Sequence, residues 1–195
     1  IQKTKYCLPE TIMDVLTNGR YFSNHEYARK VASVNHPNLT FGIPIYSHDP
    51  VQHDFIVQAK GAFDETIKGI INLKALGQKV EIRIVIHNLT IDDLEETCKY
   101  ITRNLLFVDH VALMGLEITG FTRANLDQLW IDPFEYKDIL SRAVKILNNY
   151  QIPSSVYNHQ LCVINQDVLG NYHRSISDWK NEFVEECKDC SKMNE

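Results

Sequence analysis

Residues 63–87 read Phe-Asp-Glu-Thr-Ile-Lys-Gly-Ile-Ile-Asn-Leu-Lys-Ala-Leu-Gly-Gln-Lys-Val-Glu-Ile-Arg-Ile-Val-Ile-His. The first part repeats at helical intervals, with Ile67, Ile70, Ile71 and Lys74 along one side of a helix over about Phe63–Leu76. Gly77 stands where such a helix takes its left-handed C′ residue. The second part, Glu81 to His87, is an apolar run of strand length. Arg83 sits within it among isoleucines and valine, and a charge there needs a partner or exposure. A helix feeding directly into an apolar strand is half of a parallel α/β unit.

The same alternation extends outward in both directions. Upstream, Phe41 to Tyr46 reads as a strand, although Pro44 cannot donate to a ladder and predicts a bulge or irregularity. Before it, Ser23 and Glu26 have the spacing of a capping box, opening a helix that buries Tyr27, Val31 and Val34. Ile12 to Leu16 is the first strand, closed by Thr17-Asn18-Gly19. Downstream, Thr90 and Asp93 start a helix that carries Leu94, Cys98, Ile101 and Leu105 inward. His110 to Met114 is a further strand. Asp132-Pro133 then starts a helix as cap and N1 proline, with Ile139, Leu140, Ala143, Val144 and Leu147 inward. A fifth strand covers about Ser155 to Asn158.

Repeated strand–helix alternation predicts parallel pairing through right-handed crossovers. A barrel or partial barrel fits best, with an open doubly wound sheet as the competing arrangement. Barrel chemistry gathers at the strand C-terminal ends. Thr17-Asn18-Gly19, Ser47-His48-Asp49, His87-Asn88, Gly115-Leu116-Glu117 and Asn158-His159 all fall there.

Composition narrows the classes. A formal net charge of −5 argues against a general nucleic-acid binder. No apolar run is long enough to span a bilayer. Five cysteines with one close pair do not make a secreted disulfide framework, which fits a reducing cytoplasm. Neither a dinucleotide-binding glycine fingerprint nor a P-loop occurs. Cys187-x2-Cys190 with Cys162 offers three thiolates for an iron–sulfur cluster or zinc. His159 could complete a Cys3His zinc site. A lone Cys-x2-Cys is a weak signal, and the alternative is a core Cys162 with an unliganded tail.

Several runs resemble radical S-adenosylmethionine (SAM) enzymes. Leu16-Thr17-Asn18-Gly19 is similar to their third strand end, and Ile43 to Asp54 to their fourth. Gly61 to Ile67 is similar to the helix opening of peptide-modifying members. Val80 to Asn88 and Val108 to Gly120 resemble the fifth and sixth strands. The likeness is most specific to the radical SAM maturases of the His-Xaa-Ser peptide system. It rests on Val111–Glu117, Leu129–Pro133, Tyr157–Cys162 and residues 175–182.

The resemblance implies an α/β fold: an incomplete TIM-like partial barrel of strands three to six over residues 1–153. A C-terminal extension over 154–195 would lead into an auxiliary cluster segment. It implies SAM as cofactor, with Asn18 towards the cluster, Ser47 at the ribose, and Arg83 and Asn88 at the carboxylate or ribose. Gly115 and Leu116 would approach the adenine through their backbone. It implies an auxiliary [4Fe–4S] cluster on Cys162, Cys187 and Cys190, and a peptide as substrate. The family's Cys-x3-Cys-x2-Cys motif is absent from this sequence. The chain, which starts at Ile1, is therefore expected to be a segment that cannot cleave SAM by itself. Its sheet edge is expected to lie exposed or to pair with a neighbouring chain. The competing functions are a non-catalytic scaffold with structural zinc, and a barrel hydrolase whose metal is held by His48, His87 and His159.

Overall fold

The computed structural model describes residues 1–174 and 183–192. The motif at 175–182, with Trp179, lies outside the described residues. After a short helix α1 (Gln2–Cys7), the chain alternates strand and helix: β1 (Met13–Leu16), α2 (His25–Ala32), β2 (Leu39–Pro44), α3 (Pro50–Val57) and α4 (Ala62–Ala75). It continues with β3 (Lys79–Ile86), α5 (Leu94–Asn104), β4 (His110–Gly115), α6 (Leu126–Leu129), α7 (Pro133–Asn149) and β5 (Ser154–Tyr157). The five strands are parallel and lie in the order β1-β2-β3-β4-β5. A doubly wound sheet reverses its strand order at a switch point, and this sheet does not. Sequential order is the wall of a barrel. The segment expected as the start of an extension, Ser154–Tyr157, is hydrogen-bonded onto β4 as the fifth strand. Beyond β2, β1 has no strand partner among the described residues, and Leu16 is 64% exposed on that margin.

The ladder assigns every strand residue to one of two faces, because side chains alternate and parallel register keeps them in rows. Phe41, Ile43, Val80, Ile82, Ile84, Ile86, Val111, Leu113 and Val156 are buried in the main hydrophobic core. Leu94, Cys98 and Ile101 of α5 and Leu140, Ala143, Val144 and Leu147 of α7 belong to the same core. The other row holds Thr40, Pro44, Glu81, Arg83, Val85, His110, Met114 and Tyr157, all half-exposed, together with buried Gly42, Ala112 and Ser155. One face is therefore covered and the other largely open.

Helix ends follow their sequence signals in part. Gly77 adopts φ +71°, its N–H bonds Lys74 O, and Gln78 N bonds Leu73 O, the paired bonds of a Schellman end. Asp132 accepts from Phe134 N ahead of Pro133, as expected. The capping box is a correction: Asn24, not Ser23, caps α2 by accepting from Tyr27 N. Ser23 belongs to a preceding 3-10 turn, so the helix starts one residue later. Its buried residue is Ala28, while Tyr27 is exposed. In α4 the inward side is Phe63, Thr66, Gly69, Ile70 and Leu73, and Ile71 is 47% exposed. Gly69 explains that rotation. A Cβ there would stand 2.3 Å from Gly19 O, so α4 lies directly on the loop after β1. Pro44 causes no bulge. It ends β2 two residues beyond the point where β1 stops opposite Gly42. Among the described residues, no helix is long and apolar enough to cross a membrane.

Candidate functional site

The strand C-terminal ends collect the expected polar residues, but most of them are spent on holding the loops. Ser47 is fully buried; its Oγ donates to Asp93 Oδ2 at 2.6 Å and accepts from Asp49 N at 3.0 Å. That bond ties the loop after β2 to the start of α5. Asn18 is exposed and turns back on its own chain, its Oδ1 accepting from Arg20 N. Asn88 donates to Gln128 O at 3.3 Å, and its own N–H bonds Leu129 O at 2.9 Å. It thereby clips the α6 segment over the end of β3, and the residue is exposed.

At the β4 and β5 ends, packing is tight. A Cβ on Gly115 would lie 2.4 Å from Asn158 O, so only glycine fits there. Asn158 takes φ +60° and its Nδ2 donates to Glu117 Oε1 at 3.1 Å. Leu116 is half-exposed beside them. His159 is buried with both ring nitrogens committed. Nδ1–H donates to Tyr157 O at 2.8 Å, so Nε2 accepts from the Tyr136 hydroxyl at 2.9 Å. Burial lowers its pKa to about 4, against the opposing pull of the Tyr157 carbonyl. The same burial pushes the Tyr136 phenol up.

The histidines do not converge. His87 is buried, accepts from Leu89 N through Nδ1, and has its pKa lowered to about 4 by desolvation. His53 is buried too and accepts from Tyr46 N. His48 places its Nδ1 in the interior with no partner among the described residues. Among the described residues, no three His, Cys, Asp or Glu side chains gather as metal ligands. All five cysteines are free thiols. Cys98 lies in the core and burial raises its pKa to about 12, while Cys162 is exposed and Cys187 and Cys190 flank one turn half-exposed. In this arrangement the three thiols do not form a cluster or zinc cage, and His159 has no nitrogen left for one.

Ser47, Arg83, Asn88 and Gly115 therefore do not share one surface. Ser47 and Gly115 are buried, Asn88 stands at the rim, and Arg83 lies mid-strand on the open face. Arg83 Nε donates to Glu81 Oε1 at 2.6 Å, and the side chain crosses β2 over Gly42. A Cβ on Gly42 would come within 2.9 Å of that nitrogen. The guanidinium Nη groups have no protein partner among the described residues, which leaves a fork of donors for an anion. SAM carries a carboxylate, and Arg83 has the donor chemistry to hold one. Sequence reasoning missed what supports Arg83. Glu81 Oε2 accepts from His110 Nδ1 at 2.9 Å, and His110 Nε2 meets Ser155 Oγ at 2.8 Å. The two-residue spacing of Glu81 and Arg83 was a legible signal that they share a face; the partners on β4 and β5 were not.

No protein-family model matches the sequence, and no curated protein matches it. Solved structures do. SuiB of Streptococcus suis superposes with a TM-score of 0.60 at 13% identity, over 78% of this chain and 34% of SuiB. The structure of SuiB bound to S-adenosylmethionine gives a TM-score of 0.61 at 13% identity, over 95% of this chain and 39% of that one. A radical SAM methyltransferase from Sphaerobacter thermophilus gives 0.52 at 15% identity, over 73% and 39%. This chain spans well under half the length of each. The fold is thus an α/β parallel sheet matching the partial barrel of radical SAM proteins.

Proposed function

We propose that this chain is the barrel wall of a radical SAM enzyme that modifies a peptide, of the kind that matures His-Xaa-Ser peptides. The observation that carries the reading is the sequential five-stranded parallel sheet, aligned over 95% of the chain with SAM-bound SuiB. The motif resemblance along residues 111–162 supports the peptide class. A [4Fe–4S] cluster with SAM would supply a 5′-deoxyadenosyl radical for hydrogen abstraction, and the cluster's cysteines would come from outside this sequence.

The residues present would bind and orient. Arg83 would take the SAM carboxylate through its free Nη groups. Asn88 Oδ1 at the rim would accept from a ribose hydroxyl or the amino group. Leu116, half-exposed at the end of β4, would lie against the adenine, whereas Gly115 is buried and its missing Cβ makes room for Asn158 O. Asn18 would stand on the cluster side. Ser47 fixes the loop after β2 instead of touching the nucleotide. Cys162, Cys187 and Cys190 stay proposed ligands of an auxiliary cluster, which requires the segment after β5 to draw them together. The zinc scaffold loses His159 to Tyr136 and Tyr157, and the hydrolase finds no convergent histidines.

The test is anaerobic reconstitution of the full-length protein with iron and sulfide, followed by SAM and dithionite. The expected product is 5′-deoxyadenosine, with a mass change on the peptide. A reconstituted, brown protein that yields no 5′-deoxyadenosine overturns the reading.

A further inference from the structure

The open face carries one unbroken line of side-chain hydrogen bonds. From Arg83 it runs through Glu81 and His110 to Ser155 at 2.6, 2.9 and 2.8 Å. Three strands build it. Glu81 and His110 are register partners, and Ser155 pairs with Ala112, two residues along the same face from His110. Both carboxylate oxygens and both imidazole nitrogens are used. A carboxylate only accepts, so His110 carries a proton on Nδ1. Only the Arg83 end remains open.

Serine, histidine and carboxylate in that connectivity also describe a nucleophilic triad, and the surroundings argue against one. Ser155 is 4% exposed, and it lies within the β4–β5 ladder instead of on a strand-end turn. Backbone N–H groups committed to a ladder cannot serve as an oxyanion hole. The line therefore ends inside the sheet and delivers its constraint outward, towards Arg83.

We infer that Glu81, His110 and Ser155 are positioning residues that hold the Arg83 guanidinium flat on the open face as a preorganised clamp for a ligand carboxylate. This rests on the reading of the chain as a SAM-binding wall and goes beyond it by assigning three residues that touch no ligand. The physical reason is entropy. A free arginine must give up its rotamers on binding, whereas one already fixed by Glu81 does not. Burial raises the Glu81 carboxyl, but the His110 hydrogen bond and the Arg83 charge outweigh it and keep the group ionised. Gly42 completes the clamp by letting the side chain lie against β2.

The test uses two ligands that need no cluster turnover: S-adenosylhomocysteine, which has the carboxylate, and 5′-methylthioadenosine, which lacks it. Calorimetric titration of the full-length protein should show that Arg83→Gln weakens S-adenosylhomocysteine about 10- to 100-fold and leaves methylthioadenosine unchanged. His110→Ala and Ser155→Val should each weaken only S-adenosylhomocysteine, by about 3- to 10-fold. Ser155→Thr, which keeps the hydroxyl at the same volume as valine, should restore affinity. A second readout is the Arg83 Nε–H resonance. It should be protected from exchange in the wild type and in Ser155→Thr, and lose protection in His110→Ala and Ser155→Val.

If Arg83→Gln changes both ligands equally or neither, the clamp is wrong while SAM binding stands. If the His110 and Ser155 variants leave S-adenosylhomocysteine affinity and the Nε–H signal unchanged, the positioning role is wrong. If the wild type binds neither ligand, the SAM reading fails, and with it the carboxylate clamp.

Discussion

Ile84 and Val85 are adjacent in β3 and belong to different chemistries. Ile84 is 1% exposed in the row that α5 and α7 cover, whereas Val85 is half-exposed beside Arg83. Under the strand ends, Ser47 is closed off with Asp93 and His159 with Tyr136. On the open face the polar line from Ser155 ends in a guanidinium with donors to spare. The contrast separates residues that hold the fold from residues able to meet a ligand. It also shows that strand-end position does not by itself expose a residue: Ser47 stands at a strand end, fully buried and bonded to Asp93 and Asp49.

The comparison can be broken most easily at its largest difference. Ile84→Ala should cost about 2–5 kcal/mol in urea unfolding, as a cavity in a packed core. Val85→Ala next to it should cost about 1 kcal/mol, in line with partial burial. Equal effects would mean the open face is covered.

Acid should find the covered side next. His87 and His159 fall from the ordinary 6.5 to about 4, so the folded state binds fewer protons than the unfolded chain between those values. Their stabilisation is complete above pH 6.5, declines as pH falls towards 4, and levels off below that. Between pH 6.5 and 5 each should remove on the order of 2 kcal/mol, and His159→Gln should flatten that slope. A slope unchanged in the variant would place the titration elsewhere.

Tyr136→Phe should cost about 1–3 kcal/mol, because it leaves the buried His159 Nε2 without its donor. Urea midpoints at pH 7 measure it. The smallest effect belongs to exposed charge: Arg20 and Glu65 pair at 2.6 Å with side chains 33% and 45% exposed. Glu65→Gln should change stability by less than about 1 kcal/mol and become silent at high salt. A larger loss would make that pair part of the fold.

Much of this architecture could be read from the chain. All five strands and the helices α4, α5 and α7 were legible, because an apolar run bounded by Gly77 or by Asp132-Pro133 states its own period and ends. The faces of α2 and α4 were not, since Ile71 and Tyr27 fit a helical stripe as well as Ala28 and Gly69 do. What decides between them is the close approach of Gly69 to Gly19, a contact across 50 residues of chain. The candidate site was legible as a list of polar strand ends and illegible as an arrangement. Asp93 lies 46 residues from Ser47, and Tyr136 lies 23 from His159.

Sequence alone determined the alternation, the parallel sheet and the charge of Arg83, because helical and strand periods and turn chemistry are local. Tertiary structure alone decided the strand order, which face the helices cover, and which hydrogen bonds Arg83 inherits. Glu81, His110 and Ser155 meet only when three strands lock in register, at separations of 29 and 45 residues. That register comes from packing one whole face at once, which no local run of residues encodes.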